Sequence, residues 1–538
     1  MTNCRAALLR TAARPRVASA AVRLSVDGGM FVCLADGQRR GRANARRVGV
    51  GTSIRQRRWR LARFRSRRAA SALVGLCLLP ALSGCFVDTE HPDPELEVAN
   101  KYRYGQRNAD IALPALDWWR SFRSAELTNL MELAQTANLD IAVAVAQIIQ
   151  ADAQSRVSGS ALLPNISAVF ENERTRTAPA TFNPPARDAV IRDFHQANLQ
   201  ATYIVDFWGQ NRATLLASEQ TAIASRYNRE VIALTAEVAV ATAYFDVLGA
   251  QDRLRVANDN LKAASSVLQV IRDRFAAGTA SQLEIAQQES ILDQVKANIP
   301  VLEITLQQNR IALAVLVGRA PENFGVRGGV MWSVRIPPVT PGLPSDILNQ
   351  RPDVRQAEAQ LASANHSVES ARAAFFPTIQ LTGQNGFESL ALAALFGPTA
   401  WYWTAMATVT QPVFDGFQHL GQLELQQGVQ QQFLQQYRRS VLNAFSDVEQ
   451  ALIAVQQETI RERLQREVVR TANQAFTLSE QRLREGTIDL TTVVQLETTL
   501  FTAQDLLSQV RLARLLAIVS LFQALGGGWP PVEGAKPL

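Results

Sequence analysis

The residues able to carry covalent or metal chemistry are placed so that most such chemistry is excluded. Cys4, Cys33, Cys77 and Cys85 all precede residue 86. The remaining chain therefore holds no disulfide, Cys-ligated zinc site, iron–sulfur cluster or thiol nucleophile. His91, His195, His366 and His419 are too scattered for HExxH or any short ligand pair. Neither a GxSxG elbow nor a Walker A loop occurs, and dispersed carboxylates define no catalytic site. The expectation is a protein without catalytic residues, metal or cofactor. One thiol stands apart by its setting: Cys85 closes a segment built for export.

Arg55, Arg57, Arg58, Arg60, Arg63, Arg65, Arg67 and Arg68 form a cationic run before it. An uncharged apolar stretch from Ala69 to Leu82 follows, then Ser83-Gly84-Cys85. A positive region, a short apolar core and a small-residue cleavage site make a secretory signal. The apolar core is shorter than the roughly 20 residues a membrane-spanning helix needs. Leu-Ser-Gly-Cys resembles the bacterial lipobox, which implies that Cys85 becomes the lipidated N-terminus after cleavage. Phe86 rather than Asp at the next position implies sorting to the outer membrane.

The same boundary explains the charge. The whole chain carries +7, a balance that suggests nucleic acid or an anionic surface as partner. Residues 1–85, however, hold 18 Arg, no Lys and 2 acids, leaving 37 basic and 46 acidic residues beyond them. The body is acidic, so nucleic acid is not an expected partner.

The elements that follow come in two copies. Asp140-Ile-Ala, Gln147 and Pro164-Asn-Ile match Asp353-Val-Arg, Gln360 and Pro377-Thr-Ile at an offset of 213. Arg274 through Gly278-Thr279 matches Arg482 through Gly486-Thr487 at 208, as Gly318 matches Gly526. Ala243-Tyr-Phe-Asp246-Val matches Ala444-Phe-Ser-Asp447-Val at 201. Each copy reads helix, strand, strand, long helix, turn, helix.

Proline is absent from 186–299 and 413–529, where helix formers dominate. Residues 210–276 and 417–484 are nearly free of Gly as well, and as helices would each span roughly 100 Å. Glu/Arg pairs along 458–485 read as solvated helix faces. Gln196–Val205 and Trp401–Thr410 alternate apolar and polar, with partners near Ile166–Arg176 and Thr378–Glu388. Strands of this length and pattern suit a membrane β-barrel wall. Leu390–Val409 is uncharged, but Gly397-Pro398 interrupts it, predicting loop plus strand rather than a membrane helix. Four strands cannot close a barrel, so several copies must associate.

The chain resembles the TolC-like outer membrane factor family, specifically the NodT-type lipoproteins of RND efflux systems. Trp118-Trp119-Arg-Ser-Phe122, Asn138-Leu-Asp140-Ile141, Val205-Asp-Phe-Trp-Gly209-Gln-Asn-Arg and Leu343-Pro-Ser-Asp carry the likeness. So do Arg351-Pro-Asp353, Gln411-Pro-Val-Phe-Asp-Gly416 and the two Arg-x-x-x-Gly-Thr turns. The resemblance implies a mainly α fold with a small membrane β part and internal duplication. It implies a homotrimer with a twelve-stranded outer-membrane barrel and a long periplasmic helical barrel. A mixed α/β collar would form from about 86–123, 319–352 and the C-terminus.

The organisation so implied is a removed leader at 1–84, a lipid anchor and collar segment at 85–123, and a first repeat at 124–330. A linker at 331–352, a second repeat at 353–529 and a tail at 530–538 complete it. The function implied is a passive duct for small molecules, partnered by a periplasmic adaptor and an inner-membrane RND pump. A duct for type I protein secretion shares this fold, and a coiled-coil scaffold explains the helices alone. Gly278, Thr279, Gly486 and Thr487 would be the tips that meet the adaptor. Family constrictions lie six and nine residues beyond each tip glycine, here Glu284 and Gln287, and Thr492 and Gln495. Glu284 is the sole carboxylate of the four.

Overall fold

In the computed structural model the described residues are 102–104, 115–181, 188, 190–338, 342 and 344–529. The leader, Cys85, most of the 85–123 segment and the 530–538 tail lie outside them.

After a 3₁₀ turn at Trp118–Phe122 come α1 (Ala125–Ala137) and α2 (Leu139–Gly159). The strands β1 (Asn165–Thr177) and β2 (Val190–Val205) lead into α3 (Gln210–Ala276) and α4 (Gln282–Leu316). The second copy runs α5 (Pro344–Gln350), α6 (Pro352–Ala373), β3 (Thr378–Ser389), β4 (Trp401–Thr410), α7 (Gln418–Arg484) and α8 (Leu490–Ala524). Helices α3 and α7 have 67 residues each, α4 and α8 have 35 each, and all four bounds differ by 208. The predicted strands and their pairing are present, and Leu390–Val409 is loop plus strand.

Equal helix lengths correct the offset of 201. No net insertion fits inside α3 or α7, so Ala243 corresponds to Ala451 and not to Ala444. A seven-residue slip is two helix turns and preserves the apolar face, which is why sequence comparison falls into it. At 208, Ala236, Val240 and Ala243 meet Ala444, Val448 and Ala451, and all six are buried.

Helix α4 continues through Pro300, beyond the proline-free tract. The ring removes the bond to the Lys296 carbonyl. Both residues are exposed, so water can satisfy that carbonyl.

The sheet is antiparallel in the order β1-β2-β3-β4. Register aligns its faces: Ala168, Leu199, Asn385 and Trp403 stand in one row, and Ser167, Gln200, Gln384 and Thr404 in the next. One face thus carries Ile166, Phe170, Leu199, Tyr203, Leu381, Trp401, Ala405 and Val409. Asn385 interrupts it and accepts the Trp401 indole N–H at 3.0 Å. The opposite face is mostly amide and hydroxyl, with Val169, Ile204 and Met406 among them, and Tyr402 reaches across Gly386 to accept from Asn198 Nδ2 at 2.8 Å and from Gln196.

The waist holds the largest core. Trp118 stacks on Phe522 at 5.0 Å and Phe122 packs on Phe245 at 5.2 Å, with Leu313 and Met331 beside them. Among the described residues this collar consists of 3₁₀ turns and short helices, without the strands a mixed α/β collar needs. The linker's one short alternating run, Trp332–Ile336, is cut off by Pro337-Pro338, and the Pro and Gly that follow favour turns.

The repeats close on the waist in the same way. Asn138 Nδ2 donates to the Leu316 carbonyl at 2.8 Å, and Arg351, its counterpart at 213, donates to the Ala524 carbonyl at 3.2 Å. Gly318 and Gly526 turn left-handed, where a Cβ would overlap the Ala137 and Gln350 carbonyl oxygens. Gly278 and Gly486 at the far turns are left-handed too, but have open space around them. Gly486→Ala should therefore cost about 1 kcal/mol of backbone strain and leave the hairpin intact. Gly318→Ala adds a steric clash and should lower thermal stability several-fold more. Thermal unfolding of the two variants side by side checks this.

Candidate functional site

The two far turns are chemically alike. Thr279 N–H and Oγ1 both donate to the Arg274 carbonyl, and Thr487 N–H and Oγ1 both donate to the Arg482 carbonyl. This is a left-handed helix C-terminus, with the threonine satisfying a carbonyl that the helix leaves open. All four predicted tip residues are exposed. The turns sit side by side: Arg274 Nη1 donates to the Leu483 carbonyl at 3.2 Å, placing a cation on the C-terminus of α7. Ile271, Ile285, Leu483, Leu490 and Val493 pack beneath them.

Glu284 has a structural partner. Its carboxylate accepts the Ser281 N–H while Ser281 Oγ accepts the Glu284 N–H, a capping box opening α4. The second copy exchanges the parts. Asp489 Oδ1 accepts the Thr492 N–H at 2.8 Å and Oδ2 accepts the Thr492 hydroxyl at 2.7 Å. The Thr492 hydroxyl and backbone N–H hold the Asp489 carboxyl below its usual range. Each downstream helix thus opens on one carboxylate, at the third helical residue of α4 and at the N-cap of α8, and Glu485 adds another before the second turn. Reading by family position found Glu284 and missed Asp489, although Asp-x-x-Thr is itself an N-cap signal. Gln287 and Gln495 are exposed, one turn further on.

One glutamate of the 458–485 run departs from the expected solvated face. Arg461, Arg470 and Arg484 pair with Glu458, Glu467 and Glu480 on the exposed surface as expected. Glu462, in the same run, is 1% exposed. It accepts from Arg466, from Arg511 at 3.3 Å and from Arg514 at 2.9 Å. The Arg466 and Arg511 guanidiniums lie 4.8 and 4.9 Å from the Trp332 ring, and Arg511 also donates to the Val334 carbonyl. Burial acts to raise the Glu462 pKa, and the arginines outweigh it and hold it lowered. The cluster pins the linker to α7 and α8; it is a joint of the collar.

The pattern of the outer membrane efflux protein family matches residues 130–319 and 343–527, one stretch in each repeat. The chain belongs to the outer membrane efflux protein family. Similar proteins include OpmQ of Pseudomonas aeruginosa, a pyoverdine export outer membrane protein. It is 34% identical over 463 residues, covering 85% of this chain and 96% of that one. TtgC of Pseudomonas putida, a toluene efflux pump outer membrane protein, is 27% identical over 455 residues, covering 83% and 93%. In fold, the outer-membrane channel OprN superposes with a TM-score of 0.77 at 24% identity, covering 83% of this chain and all of that chain.

As an outer membrane efflux protein the chain is a TolC-like channel component. Its sheet lies in the outer membrane, and the paired 67- and 35-residue helices extend into the periplasm. In a membrane the apolar face of the sheet suits lipid and the polar face suits water.

Proposed function

We propose that three copies form one passive duct, lipid-anchored at Cys85, through which an inner-membrane RND pump and its periplasmic adaptor export small molecules. The observation that carries this is the four-stranded sheet, apolar on one face and polar on the other, with β1 and β4 as open edges. Lipid offers no partner to an open edge, so the edges must meet those of other copies. Three copies make twelve strands. The helices support the same association: Val301, Ile304, Ile311 and Val315 line an exposed stripe of α4, as do Ile453, Ile460, Leu464 and Val468 on α7. The relatives named for pyoverdine export and toluene efflux favour a small-molecule cargo. The exposed turns at Gly278-Thr279 and Gly486-Thr487 are the adaptor contacts.

Chain length supports the anchor. Tyr102 is buried against Ile347, Val441 and Val448, and the Arg103 and Tyr104 N–H groups donate to Glu449 at 2.6 and 3.3 Å. Glu449 lies 31 residues along α7 from Gln418, about 46 Å from the membrane end of the helix. The 18 residues from Cys85 to Arg103 reach about 60 Å when extended. A lipid on Cys85 can therefore enter the membrane while Tyr102 stays docked. Cys85→Ala should abolish incorporation of labelled palmitate, and persistence of label would remove the anchor. Deletion of the gene, followed by growth on a panel of toxic small molecules, tests the function. Restored tolerance on return of the wild-type gene is expected, and unchanged tolerance to every compound would count against efflux.

A further inference from the structure

One buried pair near the far turns has no part in the duct as described. Gln288 of α4 and Glu497 of α8 are both fully buried, at 0% exposure. Gln288 Nε2 donates to Glu497 Oε2 at 3.0 Å and to the Ala264 carbonyl of α3 at 3.3 Å. The bond joins the α3/α4 hairpin to the α7/α8 hairpin. The other two oxygens, Gln288 Oε1 and Glu497 Oε1, are buried without a hydrogen-bond partner. Two orphan acceptors at one contact lack a donor between them, and an unsatisfied buried acceptor is costly. A proton on the carboxyl supplies that donor and allows the two-bond pairing of a carboxylic acid with an amide.

We propose that Glu497 and Gln288 form a protonation-controlled latch between the two helical hairpins, closed as an acid–amide pair and loosened when Glu497 ionises. The surroundings favour the neutral form. Leu268 of α3, Leu292 of α4, Phe476 of α7, and Val493 and Leu500 of α8 belong to the same apolar cluster. On α7 the acting charge is Glu480, which Arg484 binds at 2.6 Å. On α4 the acid next to Gln288 is Glu289, bound to Arg272 of α3 at 2.8 Å, while Lys262 of α3 pairs with Asp259. On α8 the next acid is Asp505, held by Arg253 at 2.7 Å. Each of these neighbours has its own partner, leaving Glu497 without a cation. Burial pushes its carboxyl up to about 7, opposed by the Gln288 bond and reinforced by Glu480.

The sign follows from the raised value. Between the ordinary value of 4.5 and about 7 the folded joint binds more protons than the open one. The latch is therefore tightest at low pH and weakens as pH rises through about 7. The test is hydrogen exchange of the full-length protein in detergent at pH 6 and pH 8, corrected for intrinsic amide chemistry. Residues 282–292 and 490–500 should open roughly tenfold more at pH 8. In Glu497→Gln, which keeps two hydrogen bonds as an amide pair, the difference should vanish. Equal protection of the wild type at both pH values overturns the proposal by itself, even if the variant fails to fold. A pH difference that survives in Glu497→Gln overturns it as well.

Discussion

Replacing Arg351 by alanine should cost about 3 kcal/mol and lower the unfolding temperature by several degrees. The side chain is 11% exposed and makes four bonds at the waist. Nε and Nη2 donate to Asp353 at 3.0 and 2.7 Å, and Nη1 to Asp447 at 2.9 Å and to the Ala524 carbonyl at 3.2 Å. Removing one partner of a buried pair typically costs 3–5 kcal/mol, because the other charge is left uncompensated. Asp353 and Asp447 keep access to water, which places the loss at the low end. The first repeat supplies the control. Asn138 occupies the same position and bonds the equivalent carbonyl, but it is neutral and caps α2 through Asp140 and Ile141. Asn138→Ala should cost about 1 kcal/mol, an ordinary cap loss. Circular dichroism melts at one scan rate compare the two, and equal losses would deny the ion pairs their role.

The second large effect separates neighbours in one strand. Ala405 lies on the lipid row with Ile166, Ala201 and Gly383, and Thr404 on the lumen row with Ser167, Gln200 and Gln384. Both are exposed in a single copy, so burial does not distinguish them. The membrane does. Ala405→Arg should cost about 2–4 kcal/mol, the cost of a cation near the bilayer midplane, and deplete folded protein from the outer membrane. Thr404→Arg should assemble normally and place a positive charge in the pore from each copy, lowering cation selectivity in planar bilayers. Outer-membrane yield and reversal potential read the two variants, and equal assembly of both would reverse the assignment of faces.

Much of this was legible in the sequence because it is periodic or local. Alternation over Trp401–Thr410 gave the strand and its two faces, and the absence of proline gave the long helices. What escaped depends on distance along the chain. Glu462 sits in a run of i,i+3 and i,i+4 charge pairs that reads as solvated. Its burial comes from Trp332 of the linker and from Arg511 and Arg514 of α8, which no local pattern connects to it. Gln288 and Glu497 are likewise brought together across 209 residues. The offset of 201 misleads for the opposite reason. Heptad periodicity lets a local match slip by two helix turns while the apolar face stays in place.

Native mass spectrometry of the protein released from outer membranes in detergent measures how many copies share one pore. A single species of three chains, each mature from Cys85, is the expected result. A folded, monodisperse single chain retaining its sheet would contradict it, since β1 and β4 would then be open edges in a membrane that tolerates none.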